Sequence, residues 1–167
     1  EWALPLLKDV IVSKYITAMP FDNNFNVETE DGPEALFVSK HAIDPNGTGD
    51  NANVGDMLGG LYGTSPVSCC GFYQPSIDLV NAYKVSATGL PYLDGSYRTD
   101  PYRSDMGLTG AAKTNYQVDR TLRVDPRLDY TVGRRGIPYL DYGIMPGDAW
   151  IRMATYAGPV VGIKTMI

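Results

Sequence analysis

Four segments of the chain have a hydrophobic pattern that predicts regular structure. Apolar side chains at intervals of three and four residues predict an amphipathic helix over Trp2–Lys14. A short apolar run predicts a strand over Glu34–Ile43. A second, shorter helix is predicted from Pro75 to about Lys84, because proline favours the first helical position. The last apolar run predicts a strand over Val160–Ile167.

The segments between these elements are rich in turn residues. Met19–Asp31 is polar and Thr88–Gly110 is rich in turn residues, so both are predicted as loops. Asp44–Gly71 contains seven glycines and is predicted as one long loop, of the kind that is usually functional or disordered. Alternating apolar residues over Tyr116–Val124 predict an extended segment. The chain has 18 glycines, 12 prolines and 12 tyrosines in 167 residues, which indicates a loop-rich protein and not a helical bundle. Together with the predicted helices and strands, the fold class that we predict is loop-rich α+β.

One short run, DPRLDYTVGRRGIPYLDYG at 125–143, combines helix signals with arginines and tyrosines. Asp125 is a natural N-cap and Pro126 suits the position after it, so a short helix is predicted over Pro126–Val132. Gly133 is predicted to end that helix.

Charge is distributed unevenly along the chain. Residues 1–97 carry four lysines and twelve acidic residues, whereas residues 98–167 carry all eight arginines, two lysines and seven acidic residues. These arginines alternate with aspartates, which favours ion pairs that hold loops over a nucleic-acid surface. We therefore expect Arg127, Arg134 and Arg135 to bind carboxylates and carbonyls, and we predict no nucleic-acid partner. No apolar run approaches the ~20 residues that a membrane helix needs.

The sequence contains no recognisable catalytic motif. Phosphate-loop, dinucleotide-binding, zinc-protease and nucleophile-elbow patterns are missing, and the single histidine, His41, lies in the predicted strand. The adjacent Cys69 and Cys70 form either a ring disulfide or two thiols. A solvated series of turns is favoured over a calcium loop for Asp44–Asp50, although a looser calcium site stays open. No enzyme activity, cofactor or metal is predicted, but the nineteen acidic residues leave a glycoside hydrolase as an alternative.

Several runs together resemble the SusD/RagB family of outer-membrane nutrient-binding lipoproteins. They follow the family's order along nearly the whole chain, and the ordered set is more specific than any single piece. The runs are EALF at 34–37, GFYQPS at 71–76, LVNAY at 79–83, GLP at 89–91, DPRLD at 125–129, GRRGIPY at 133–139 and AWIR at 149–152.

This resemblance implies part of a SusD-like fold. Residues 1–15 would end a tetratricopeptide-type helical region, and residues 16–167 would form an irregular, incomplete C-terminal region. A full member is about three times longer, so we expect this chain to be a fragment that lacks the lipid-bearing N-terminus.

The implied function is that of a non-catalytic glycan-binding protein at the surface of the outer membrane of Bacteroidetes-type bacteria. It would pass an oligosaccharide or polysaccharide to a SusC-like TonB-dependent transporter, and only a lipid anchor outside this chain would attach it to the membrane. Peptide capture, as in RagB-like branches, is the alternative ligand class.

The residues that would bind a glycan lie in the glycine-rich loop and directly after it. Sugars stack their C–H faces on aromatic rings, and loops on a rigid scaffold are suited to such sites. Tyr62, Phe72 and Tyr73 are predicted as platforms, with Asn51 and Asn53 as polar partners. The alternative is that Phe72 and Tyr73 anchor the loop in the core. Trp150 is expected to be buried.

Overall fold

The computed structural model describes residues 2–13, 17–26, 28–38, 59–67 and 70–164. Within these residues the protein has four α-helices and one two-stranded antiparallel sheet, which confirms a small α+β architecture. The chain divides into two compact units, Glu1–Pro45 with Ile167, and Asn46–Met166. The helices are α1 (Ala3–Val12), α2 (Ile77–Ala82), α3 (Gly110–Thr114) and α4 (Ala154–Ala157), and the strands are β1 (Val132–Arg134) and β2 (Val160–Gly162).

The predicted first helix is confirmed as α1 over the residues that the structure describes. Pro5 is the third residue of the helix, where a backbone N–H has no partner within the helix, so proline is tolerated there. None of the residues of α1 is buried, and the apolar Trp2, Leu7 and Ile11 are well exposed. No described helix is long and apolar enough to cross a membrane.

The strand predicted over Glu34–Ile43 is wrong for its described part. Residues 34–38 form turns and bends, and residues 39–43 lie outside the described residues. The Glu34 carboxylate accepts hydrogen bonds from Asn24 Nδ2 at 2.8 Å and from the Met19 backbone N–H at 3.4 Å. Glu34 therefore links two parts of a loop. The apolar residues that follow it had predicted a strand instead.

Helix α2 begins two residues later than predicted. Ser76 is its N-cap, because the Ser76 hydroxyl accepts the Leu79 backbone N–H at 3.1 Å, so Pro75 precedes the cap. The helix ends at Ala82, close to the predicted end. Its buried Val80 joins the core, and the buried Asn81 side chain accepts the Tyr102 backbone N–H at 2.6 Å.

The helix predicted over Pro126–Val132 is shorter than expected. Asp125 caps it as predicted, accepting the Arg127 backbone N–H at 2.9 Å, but the helix is a single 3₁₀ turn over Pro126–Leu128. Gly133 does not end a helix, since it is the central residue of β1. An added Cβ at Gly133 would lie 2.6 Å from the Tyr139 ring, so the tyrosine packs directly on the glycine.

The sheet joins two hydrophobic clusters in the second unit. Val132 pairs with Gly162, and Arg134 pairs with Val160. Successive side chains of a strand point to opposite faces. Val160 accordingly enters one cluster and Val161 the other. The first cluster comprises Leu61, Tyr139, Met145, Trp150, Ile151, Val161 and Ile163, and the second comprises Val80, Tyr102, Leu128, Val132 and Val160.

The remaining predictions for the second unit are confirmed in part. Residues 88–109 are turns, bends and a 3₁₀ turn at Ser96–Arg98, as expected. Residues 116–124 form no strand, although Val124 makes an isolated bridge with Lys84. The predicted final strand is confirmed only as the three residues of β2, and residues 165–167 lie outside the described residues.

Three arginines hold this region through carboxylates, as predicted. Arg127 pairs with Asp125 through Nε and Nη2. Arg134 is buried and pairs with Asp129. Arg135 Nη1 donates to the Pro146 carbonyl at 2.6 Å and lies 3.3 Å from an oxygen of the fully buried Asp105.

Candidate functional site

The first part of the candidate site is the segment around Tyr62, which runs alongside Ala149 and Trp150. Tyr62 N–H donates to the Trp150 carbonyl at 3.0 Å, and Thr64 N–H donates to the Ala149 carbonyl at 3.1 Å. Gly63 has a positive φ of 65°, and a side chain there would overlap the Ala149 carbonyl oxygen. These contacts fix the backbone that carries the Tyr62 ring.

The second part is the segment that carries Phe72. Gly71 is buried with φ of 59°, and an added Cβ would lie 3.2 Å from the Arg152 Cβ and 3.3 Å from the Tyr62 Cβ. A glycine is therefore needed for this close approach. Farther along, the Gln74 side-chain oxygen accepts the Met153 backbone N–H at 3.2 Å. Both contacts hold the Phe72 segment against residues 152 and 153.

Arg152 brings the two segments together. Its guanidinium carbon lies 4.1 Å from the centroid of the Phe72 ring and 5.1 Å from the centroid of the Tyr62 ring. Its Nη1 donates to the Cys70 carbonyl at 3.0 Å. Cation–π contacts of this kind hold an arginine in place without neutralising its charge. We call Tyr62, Phe72, Tyr73 and Arg152 the arginine–aromatic surface.

The three predicted aromatic residues are all exposed. The exposed fractions are 39% for Tyr62, 55% for Phe72 and 66% for Tyr73. The alternative that Phe72 and Tyr73 anchor the loop in the core is therefore wrong, since Leu61 and Trp150 are the buried residues there. Tyr73 belongs to the surface by its position next to Phe72, whereas the cation–π contacts of Arg152 involve Tyr62 and Phe72.

Other predicted residues have mixed outcomes. Asn51 and Asn53 lie outside the described residues, as do His41 and the Asp44–Asp50 loop. Trp150 is buried as expected and packs edge-on against Tyr139 with ring centroids 5.9 Å apart.

The sequence did not identify Arg152 as a site residue, although it lies beside Trp150. The sequence around Arg152 gives little indication of its contacts, because these involve residues more than 70 positions earlier in the chain. Cys70, whose carbonyl holds Arg152, is disulfide-bonded, and this excludes a free thiol at that position.

A polar cleft of about 420 Å³ lies in the same unit as the arginine–aromatic surface. Lys84 is buried in its wall and donates from Nζ to the Tyr97 carbonyl at 2.7 Å and to the Asp100 carbonyl. Hydrogen bonds from Thr121 lower the pKa of Asp119 at the same cleft. Its lining is Lys84, Val85, Ala87, Tyr92, Asp100, Asp119, Thr121, Leu122 and Arg123, which includes none of the arginine–aromatic surface.

Asp105 is the carboxyl whose environment most resembles that of a catalytic acid. Burial raises its pKa, and the nearby Asp148 raises it further, while Arg135 lowers it. However, Asp105 is only 1% exposed, so a substrate has no access to its oxygens. Asp148 is itself paired with Lys113. Within the described ranges, no three His, Cys, Asp or Glu side chains are grouped to hold a metal ion.

Two comparisons with known proteins were informative by their outcome. No protein-family model matches this chain, and no curated protein matches it significantly. The resemblance to the SusD/RagB family therefore stays a prediction from the quoted residues, and the functional argument rests on the geometry of the arginine–aromatic surface.

Proposed function

We propose that this chain is the glycan-binding part of a SusD-like protein at the surface of a bacterial outer membrane. In this proposal it captures an oligosaccharide or polysaccharide for a SusC-like TonB-dependent transporter and catalyses no reaction. Any membrane attachment would come from a lipid anchor outside the chain.

The observation that carries the proposal is the exposure of Tyr62, Phe72 and Tyr73 on segments that are fixed to the core. Aromatic rings that are exposed at a fixed position favour stacking on the apolar face of a sugar. The backbone bonds of Tyr62 to Trp150 and the contact of Gln74 with Met153 hold these segments before any ligand arrives. A site held in this way loses less conformational entropy on binding.

The lack of catalysis in the proposal is supported by the surroundings of the rings. The residues that define this surface are three aromatic side chains and an arginine, and none of the four carries a carboxyl, whereas glycoside hydrolysis needs two carboxyls on either side of the bond. The buried and paired Asp105 does not supply such a group.

The test is a panel of neutral and acidic oligosaccharides and short peptides, with binding measured by calorimetry and products by chromatography. We expect retention of at least one saccharide without release of smaller sugars. Phe72→Ala and Tyr62→Ala should each weaken that binding about tenfold, because each removes a stacking platform.

Tyr92→Ala is the matched control, because it removes a partly exposed tyrosine from the polar cleft. It should leave the affinity for the saccharide unchanged.

Release of smaller sugars would support a hydrolase and contradict the proposal. Binding of peptides alone would replace the proposed ligand class with that of RagB-like proteins.

A further inference from the structure

Arg152 differs from most arginines of this chain in how its charge is compensated. Five others lie within 4 Å of a carboxylate oxygen, namely Arg98, Arg103, Arg127, Arg134 and Arg135. Among the described residues, Arg152 has no such carboxylate, and its contacts are two aromatic rings and the Cys70 carbonyl. No carboxylate of the described residues therefore neutralises the charge of Arg152 at the arginine–aromatic surface.

Within the described part of the chain, Arg152 uses only a small part of its hydrogen-bonding capacity. A guanidinium carries five N–H donors that point outward in its plane. The rings of Phe72 and Tyr62 interact with its charge, and one donor from Nη1 binds the Cys70 carbonyl. The side chain is exposed, so other donors are accessible to a ligand. Two parallel N–H groups of an arginine match the two oxygens of a carboxylate.

The position of this charge beside exposed rings limits the kind of sugar that fits best. A neutral sugar would stack on a ring but would leave the arginine without an anionic partner. A uronic acid offers both an apolar ring face and a planar carboxylate at one edge. Because the two rings and the Cys70 carbonyl already hold Arg152, little side-chain freedom is lost when the carboxylate binds.

We propose that the arginine–aromatic surface selects acidic oligosaccharides that contain uronic acid, with Arg152 binding the carboxylate. This inference rests on the proposed glycan-binding function and adds the ligand class. The sugar ring stacks on the exposed aromatic side chains while the carboxylate takes the free N–H groups of Arg152.

The test compares an oligogalacturonide with its methyl ester, which has the same sugar rings without the negative charge. Calorimetry on the wild-type chain should give about tenfold tighter binding of the acid, because a charge-assisted bidentate pair is lost in the ester. High salt should reduce this preference, since it screens exposed charges.

Variants then assign the preference to one side chain. Arg152→Gln should remove the preference for the acid over the ester, and Arg152→Lys should retain part of it, because lysine keeps the charge without the planar fork. Arg123→Gln is the matched control, since it removes an arginine from the polar cleft. It should leave the acid-to-ester ratio at the wild-type value. The ratio is informative even where Arg152→Gln weakens overall binding by loosening the rings.

Equal affinity of the wild type for acid and ester would overturn the inference and leave glycan binding intact. Loss of the preference in Arg123→Gln but not in Arg152→Gln would also overturn it, because the carboxylate of the sugar would then be recognised in the polar cleft. Failure to bind any saccharide of the panel would instead contradict the proposed function itself.

Discussion

Arginines are held in two different ways in two regions of this protein. In residues 125–135, Arg127, Arg134 and Arg135 each pair with an aspartate. At the arginine–aromatic surface, Arg152 is held by rings and a carbonyl. The first arrangement neutralises the charge of the arginine and links it to a neighbouring loop, whereas the second holds an arginine without a carboxylate from the described residues.

From this difference we infer that the partner of an arginine is a better guide to its role than its position in the sequence. A carboxylate partner uses up the donors and the charge together. An aromatic partner contacts the charge and leaves the in-plane donors accessible. Changes in residues 125–135 should therefore alter stability, and changes around Arg152 should alter ligand binding.

The largest expected effect is that of Arg135→Ala. This change leaves the buried Asp105 without its partner, which should lower the free energy of unfolding by about 3 kcal/mol at neutral pH. Burial raises the folded-state pKa of Asp105, so the protonated carboxyl stabilises the folded protein at low pH. This stabilisation is lost as the pH rises through the raised pKa. The loss in Arg135→Ala should therefore shrink in acid, as measured by urea unfolding at several pH values.

The double variant Arg135→Ala/Asp105→Asn is the control for this prediction. It removes the unpaired carboxylate and should restore part of the stability at neutral pH. A loss of stability that does not depend on pH would contradict the prediction, and it would show that Lys113, the other positive group near Asp105, compensates for the missing arginine despite the repulsion from Asp148.

A smaller effect is expected from Gly63→Ala at the other region. The substitution combines a positive φ with overlap of the Ala149 carbonyl, so it should cost roughly 1–3 kcal/mol and also weaken saccharide binding by displacing Tyr62. Gly107→Ala is matched to it, because Gly107 has φ of 78° with open space around its Cβ position. Equal thermal shifts for the two variants would mean that the close approach at Gly63 contributes nothing beyond the backbone conformation.

The smallest effect is expected from Arg127→Ala. Its pair with Asp125 lies at the surface, so the melting temperature should fall by only a few degrees, with saccharide affinity unchanged. The Arg127 side chain is the main cause that lowers the pKa of Asp125 to about 2. Ionised Asp125 therefore stabilises the folded protein above the usual carboxyl pKa, and this stabilisation is lost as the pH falls toward 2. In Arg127→Ala, the free energy of unfolding should depend less on pH in this range. A stable Arg127→Ala protein that no longer binds its saccharide would contradict the comparison.

The sequence predicted those features that depend on neighbouring residues. The period of α1, the cap at Asp125 and the pairing of arginines with nearby aspartates are local, and so they were predicted. Strand β1 was missed because its three residues, with a glycine at the centre, need β2 as a partner. The aromatic residues were predicted from their loop, but Arg152 was missed because its contacts join segments that are distant in sequence.

The short ribbon of β1 and β2 has a consequence for how the second unit unfolds. Val160 and Val161 are adjacent in the chain, yet each belongs to a different hydrophobic cluster. Neither cluster can melt without disturbing the strand that supplies the other, so we expect them to lose their protection from hydrogen exchange together. We therefore expect the three residues of β2 to make the two small cores unfold as one cooperative unit.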